Sequence, residues 1–158
     1  MKSRRMAESA VYVLEKMTHG YRRMGRAHGG GFYEYPADGP KHLWSGLAAF
    51  RRGGRAVPAE DVRDRLLYAQ AIETLRCLQE GVLTSARDAN VGSILGWGFP
   101  AWTGGALQFV NHVGVRAFTE RAQALAQRYG ERFAPPALLR EHAAANRPFD
   151  AGLAPPQA

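Results

Sequence analysis

The sequence predicts an all-α protein on three observations. Apolar residues recur three and four positions apart in several long segments, which marks helical faces. Proline opens two of those segments and glycine closes others. The single extended stretch, Phe32–Tyr35, has no second alternating run to pair with, so no strand pair is expected. With 158 residues, 46% hydrophobic and 22% charged, the chain has the composition of one globular domain with a sizeable core. Disorder throughout and a disulfide-built fold are excluded.

Met6, Ala10, Val13, Met17, Tyr21 and Met24 form the first face, a linker helix within residues 1–28. Gly25 and the Gly29-Gly30-Gly31 run end it. Residues 29–57 read as an aromatic, glycine-rich connection with a tight turn at Asp38-Gly39. Its Leu43, Trp44, Leu47 and Phe50 are expected to lie on a core.

A helical domain follows over residues 58–145, built on a central helix at about 58–81 and wrapped by shorter helices. Pro58 suits the first turn, and Glu60 and Asp61 complement the helix dipole there. Leu67, Ala71, Leu75, Leu78 and Val82 make one stripe; Val62, Leu66, Ala69 and Ile72 make a second. Two stripes predict burial over more than half the circumference. Thr84 or Ser85 caps the next helix, which runs to about Leu95. The glycine-rich segment Gly96–Gly105 then turns rigidly into a short helix at about 106–113, ended by Gly114. Val115, Phe118, Ala122, Leu125 and Tyr129 predict an amphipathic helix closed by Gly130. Pro135-Pro136 opens a last helix to about Ala145, and residues 146–158 read as a flexible tail.

Lysine plus arginine number 21 against 14 acidic residues, a net charge of +7 that favours polyanionic partners without choosing among them. The one cysteine, Cys77, makes no internal bridge and is expected to be a small buried hydrophobe. No apolar run reaches the roughly 18 residues of a membrane span. The basic start is interrupted by Glu8, Glu15 and Lys16, so no signal-peptide core is present and a cytoplasmic location is expected.

No Gly-x-Gly-x-x-Gly follows a strand, and Gly29-Gly30-Gly31 leads into an extended aromatic segment rather than a helix, which makes a poor phosphate loop. His19, His28, His42, His112 and His142 are scattered; His112 stands out by lying beside the Gly114 turn. Glu73, Arg76 and Glu80 share one helix face and read as a solvated ion-pair surface. Arg51-Arg52-Gly53-Gly54-Arg55 is the densest positive cluster, but no aromatics interleave it as base stacking requires. Trp97, Phe99 and Trp102 sit among glycines and Pro100; the turn either folds the rings onto the helices, the favoured reading, or lines a ligand. No catalytic, cofactor-binding or metal-ligating residue is assigned.

Four segments together resemble a known family. They are Gly31-Phe32-Tyr33-Glu34-Tyr35-Pro36 with Asp38-Gly39; Arg65-Leu66-Leu67 with Arg76-Cys77-Leu78-Gln79-Glu80-Gly81-Val82; Gly92-Ser93-Ile94-Leu95-Gly96-Trp97-Gly98-Phe99-Pro100 with Trp102-Thr103-Gly104-Gly105; and Tyr129-Gly130-Glu131-Arg132-Phe133 with Pro135-Pro136. Over about residues 10–145 the chain resembles the C-terminal helical region of 3-hydroxyacyl-CoA dehydrogenases. The likeness is to the multifunctional α-subunits of fatty-acid β-oxidation, and within them to the second copy of that region. The resemblance implies a fold like the C-terminal domain of 6-phosphogluconate dehydrogenase.

That family oxidises an acyl-CoA 3-hydroxyl with NAD, using a Rossmann domain and a His–Glu pair that the resemblance places upstream, outside this chain. The aligned first-copy motif is Asn-Arg-Leu-Leu, and Asp64 stands here in place of its assisting asparagine. A carboxylate does not donate as an amide does, so that role is not carried over. The family often has aspartate at the positions of Asn90 and Asn111, which removes charge there. The resemblance implies a structural, dimerisation-like domain, inactive alone, that self-associates or packs on a dehydrogenase partner domain. The rival readings are a small basic nucleic-acid-binding protein, motivated by the charge, and a CoA-binding module without chemistry.

Overall fold

The computed structural model describes residues 8–51 and 56–149. The chain divides into two compact units, Met1–Arg55 and Ala56–Ala158. All-α is the class observed, with one minute ladder as the only sheet among the described residues.

In the first unit, helix α1 spans Glu8–Glu15 and widens into a π-turn at Lys16–Gly20. The expected helix is thus shorter than its apolar spacing: Met24 lies beyond it, and Met6 lies outside the described residues. The Thr18 hydroxyl donates back to Leu14 O at 2.9 Å, a competitor of the regular helical ladder. Arg22 then adopts a left-handed φ of 53°, which ends the helical path. Strands β1 (Tyr33–Glu34) and β2 (His42–Leu43) pair antiparallel, Tyr33 opposite Leu43 and Glu34 opposite His42. This corrects the expectation of no strand pair. A two-residue strand is too short for alternation to show. A 3-10 segment follows at Ser45–Phe50. Trp44 meets Tyr21 edge-on at 4.9 Å, and Phe50 meets both Tyr12 and Tyr21. Leu47 is half-buried, whereas Leu43 is exposed, contrary to expectation.

The second unit is built on α2, Ala59–Gln79, which touches each of the helices α3 (Ala86–Trp97), α4 (Ala106–Val113), α5 (Val115–Tyr129) and α6 (Ala137–Ala144). Ala71, Leu75 and Leu78 are buried as the first stripe requires, joined by Tyr68 and Ile72. Val82 is exposed beyond the helix end. The second stripe is corrected in its first half: Val62 and Leu66 are exposed, whereas Ala69 packs on the core and Ile72 is fully buried, so apolar burial is concentrated in the C-terminal two-thirds of α2. Tyr68 stacks on Phe118 at 4.1 Å, and both rings stand edge-on to Phe109 at 5.9 Å. Burial pushes the Tyr68 phenol pKa up to about 12.

The tail from Asn146 is corrected as well. Phe149 is fully buried and stacks on His142 at 4.0 Å, so the chain is anchored that far. Residues 150–158 lie outside the described residues. Among the described residues, no helix is long and apolar enough to cross a membrane.

Candidate functional site

The strongest polar constellation joins the start of α2 to the outer half of α5. Asp61 and Asp64 are three residues apart and therefore share a face of α2. Arg121 Nε donates to Asp64 Oδ2 at 2.8 Å, and its Nη2 donates to Asp61 Oδ1 at 2.7 Å. Arg128 Nη1 lies 2.8 Å from the second Asp61 oxygen, which also accepts from the Tyr129 hydroxyl. Arg63 adds a contact to Asp64 at 3.2 Å. The Tyr129 hydroxyl, then Arg121, holds the Asp61 carboxyl below the usual carboxylate range. These carboxylate oxygens face guanidinium and phenol donors, so the cluster clamps two helices and leaves no free general base. Asp64 is part of this clamp through Arg121 and Arg63.

A second constellation orients α4. Gly105 precedes that helix and has no side chain to cap it. Asn90 on α3 does so instead: its Oδ1 accepts from Leu107 N at 2.9 Å and Gln108 N at 3.1 Å. Ser93 Oγ accepts from Ala106 N at 3.0 Å. Three amides at the helix start are thus satisfied from a neighbouring helix. The approach needs a bare glycine, because a Cβ on Gly105 would lie 2.6 Å from Asn90 Cα. At the far end of α4, Asn111 pairs with the backbone of Phe149, donating to its carbonyl at 2.6 Å and accepting from its amide at 2.7 Å.

The structure separates the other singled-out residues. His19, His28, His42 and His112 are exposed, so His112 does not stand out. His142 is the fully buried histidine, a fact hidden from sequence because its partners come from the supposedly loose tail. Cys77 is half-buried. Glu73 pairs with Arg76 at 3.2 Å; Arg76 also donates to Ala134 O at 3.2 Å, while Glu80 is exposed. Gly30 bridges Gly25 and leads into the ladder, with Gly29 left-handed at φ 85°. Of the Arg51–Arg55 cluster, residues 52–55 lie outside the described residues. Among the described residues, no group of three histidine, cysteine, aspartate or glutamate side chains gathers to hold a metal.

The aromatic turn after α3 is corrected in part. Ser85 Oγ caps α3 by accepting from Asp88 N at 3.0 Å. The helix ends at left-handed Gly98, whose successor Phe99 donates to Ser93 O at 3.0 Å and is buried. Trp97 and Trp102 do not fold onto the helices: they are 51% and 80% exposed. On α3, Val91 and Leu95 lie four apart on the outer face, Leu95 at 80% exposure. Gly92 and Gly96 belong to the outward part of the same helix, and a Cβ on either would meet nothing within 4 Å.

No family model matches the chain. It is similar to the fatty acid oxidation complex subunit alpha of Pseudomonas syringae pv. tomato, 35% identical over 157 residues, covering 92% of this chain and 20% of that protein. The subunit alpha of Shewanella amazonensis is 33% identical over 133 residues, 80% of this chain and 19% of that one. That of Pseudomonas putida is 34% identical over 151 residues, with 89% and 20% covered. The chain spans about a fifth of the length of the curated relatives it matches. It is a distant homologue of a segment of the fatty acid oxidation complex subunit alpha.

Proposed function

We propose that this chain is a non-catalytic helical module of a cytoplasmic 3-hydroxyacyl-CoA dehydrogenase of the multifunctional type, equivalent to the second copy of its C-terminal helical region. Its role is to pack on another folded body of the enzyme, and alone it self-associates through the same face. The observation that carries this reading is the exposure of large apolar side chains on α3 and the turn after it: Val91 and Leu95 share one helix face, Trp97 ends the helix, and Leu95 and Trp102 are each 80% exposed. Burying a large apolar side chain is worth roughly 1.5–3 kcal/mol, and tryptophan is a preferred interface anchor. Two interior helical glycines on the outward side, at roughly 1 kcal/mol each relative to alanine, give no packing return within the described residues. They suit close approach by another backbone. The similarity to a subunit of a complex supports the same reading.

Hydride transfer needs a positioned nicotinamide and a base. The best-placed carboxylates, Asp61 and Asp64, are committed to the α2–α5 clamp. On this reading NAD belongs to other parts of the dehydrogenase, and no residue of this chain is assigned to it. Sedimentation velocity on the purified chain tests the reading. Self-association is expected, and Leu95→Asp with Trp102→Asp is expected to abolish it while leaving the helical circular dichroism intact. A monomeric wild type at high protein concentration would count against it. Reduction of NAD with a 3-hydroxyacyl-CoA, followed by NADH absorbance, would overturn the non-catalytic assignment.

A further inference from the structure

We infer that the surface receiving the outer face of α3 is the exposed side of α2 on a second copy of this chain. The inference rests on the docking role proposed above and names the face that accepts it. Val62, Arg65, Leu66 and Ala69 follow one another at i, i+3, i+4 and i+7 and so share one side of α2. The start of that side is not spent on the core: Val62 is 45% and Leu66 65% exposed. With Arg132 and the buried ring of Phe133, these residues line a groove of about 380 Å³. The groove is basic as well as apolar. No acidic residue lines it, and neither Arg65 nor Arg132 is ion-paired among the described residues. Each cation rests on a ring instead: the Arg65 guanidinium carbon is 4.6 Å from the Tyr129 centroid, and that of Arg132 is 5.7 Å from the Phe133 centroid. Arg65 Nε is buried with no hydrogen-bond partner among the described residues. A partly desolvated guanidinium without an acceptor favours an incoming carboxylate.

The outer face of α3 supplies the complement. Asp88, Val91, Gly92 and Leu95 repeat the i, i+3, i+4, i+7 spacing of the α2 strip. Asp88 is exposed, and among the described residues no cation pairs with it. Val91 and Leu95 are 48% and 80% exposed. One strip thus offers an acid beside two aliphatic side chains, and the other offers a cation between two. A Cβ on Gly92 would meet nothing within 4 Å, so the bare backbone leaves a notch for a branched side chain such as Leu66. Charge decides between the possible partners for α3. Two α3 strips set against each other contain no cation for Asp88, whereas the α2 groove presents two.

Mixing two association-deficient variants of the full chain tests it, read by sedimentation velocity at low salt. Leu66→Asp spoils the α2 face, and Leu95→Asp with Trp102→Asp spoils the α3 face. Each variant is expected to be monomeric alone where the wild type self-associates. Their equimolar mixture is expected to form a species of two chains and nothing larger, because one sound face of each kind remains. Recovery on mixing also shows that neither variant has merely unfolded. Asp88→Asn should weaken wild-type association about tenfold, the loss of one charge-assisted contact, and flatten its dependence on salt. Self-association of Leu66→Asp at the wild-type level would overturn the α2 face and leave the docking role of α3 standing. A mixture that stays monomeric would overturn it as well. Unchanged association in Asp88→Asn would overturn the pairing of that acid with the two arginines. A monomeric wild type would remove the docking role itself, and this inference with it.

Discussion

Arg147 engages both ring nitrogens of His142. Its carbonyl oxygen lies 2.9 Å from Nδ1, and its guanidinium Nη2 lies 3.1 Å from Nε2. A carbonyl only accepts and a guanidinium only donates, so the pair selects one neutral tautomer, with hydrogen on Nδ1 and a lone pair on Nε2. Phe149 stacks on the same ring, and Asn111 holds the Phe149 backbone from α4. Arg116 on α5 donates to the carbonyls of Ala143 and Ala144, closing the end of α6 beside it. Residues 146–149 are thereby held through one phenylalanine.

That geometry makes stability depend on pH in a defined direction. Burial lowers the His142 pKa below 6.5, with the Arg147 charge acting in the same sense. The folded state thus binds fewer protons than the unfolded state near and below that value. Its stabilising contribution is complete above about pH 6.5 and is lost as pH falls toward the folded pKa. Thermal melts between about pH 8 and about pH 5 should show this decline. His142→Gln should be less stable at the upper end and flatter across the window. An equal slope in both proteins would show that His142 is not the titrating group.

The two asparagines respond differently to aspartate. Asn90 uses only its oxygen on α4, accepting from two amides at a helix start where negative charge is favourable. Asn90→Asp should change stability by no more than about 0.5 kcal/mol. Asn111 must both donate and accept, and Asn111→Asp loses the donation to Phe149 O. It should cost about 1–2 kcal/mol and expose the peptide around Phe149 to limited proteolysis. Urea melts and a protease time course on both variants check the contrast.

The elements of the second unit are legible because each helix advertises itself locally. Pro58, Glu60 and Asp61 mark the start of α2, Ser85 marks that of α3, and the Val115-to-Tyr129 stripe marks α5. What stays hidden is non-local. The cap of α4 comes from Asn90, seventeen positions before the amide it accepts from. The exposure of Val62 and Leu66 depends on which helices reach α2, a fact that no periodicity records. The α2–α5 clamp joins residues about sixty apart, Asp61 with Arg121 and Asp64 with Arg121. The β1–β2 ladder is short enough to carry no pattern at all.

Gly105 and Gly98 separate two costs of replacing a glycine. At Gly98 the φ of 74° is left-handed, but a Cβ there meets nothing within 4 Å. Gly98→Ala should therefore cost only the conformational penalty, about 1–2 kcal/mol. At Gly105 the φ of 111° combines with a Cβ 2.6 Å from Asn90 Cα and 2.8 Å from Asn90 O, both backbone atoms. Gly105→Ala should cost about 4 kcal/mol or more, since α3 and α4 must separate and the Asn90 cap is lost with them. Equal midpoints for the two variants in denaturant unfolding would contradict the trans-capping account.

Asp64→Asn tests what the carboxylate does in the clamp. The change keeps shape but removes the charge that Arg121 Nε meets at 2.8 Å. Arg121 retains Asp61 at 2.7 Å, so it is not left unpaired. The expected loss is about 2 kcal/mol, the scale of one hydrogen bond to a charged group, rather than the larger cost of orphaning a buried cation. Arg121→Met removes the shared donor and leaves the Asp64 side chain, 11% exposed, with Arg63 as its remaining cation. It should cost more than Asp64→Asn, and the double variant should cost less than the two losses added together. Strict additivity in such a cycle, measured by urea unfolding, would mean that the two groups do not interact in solution.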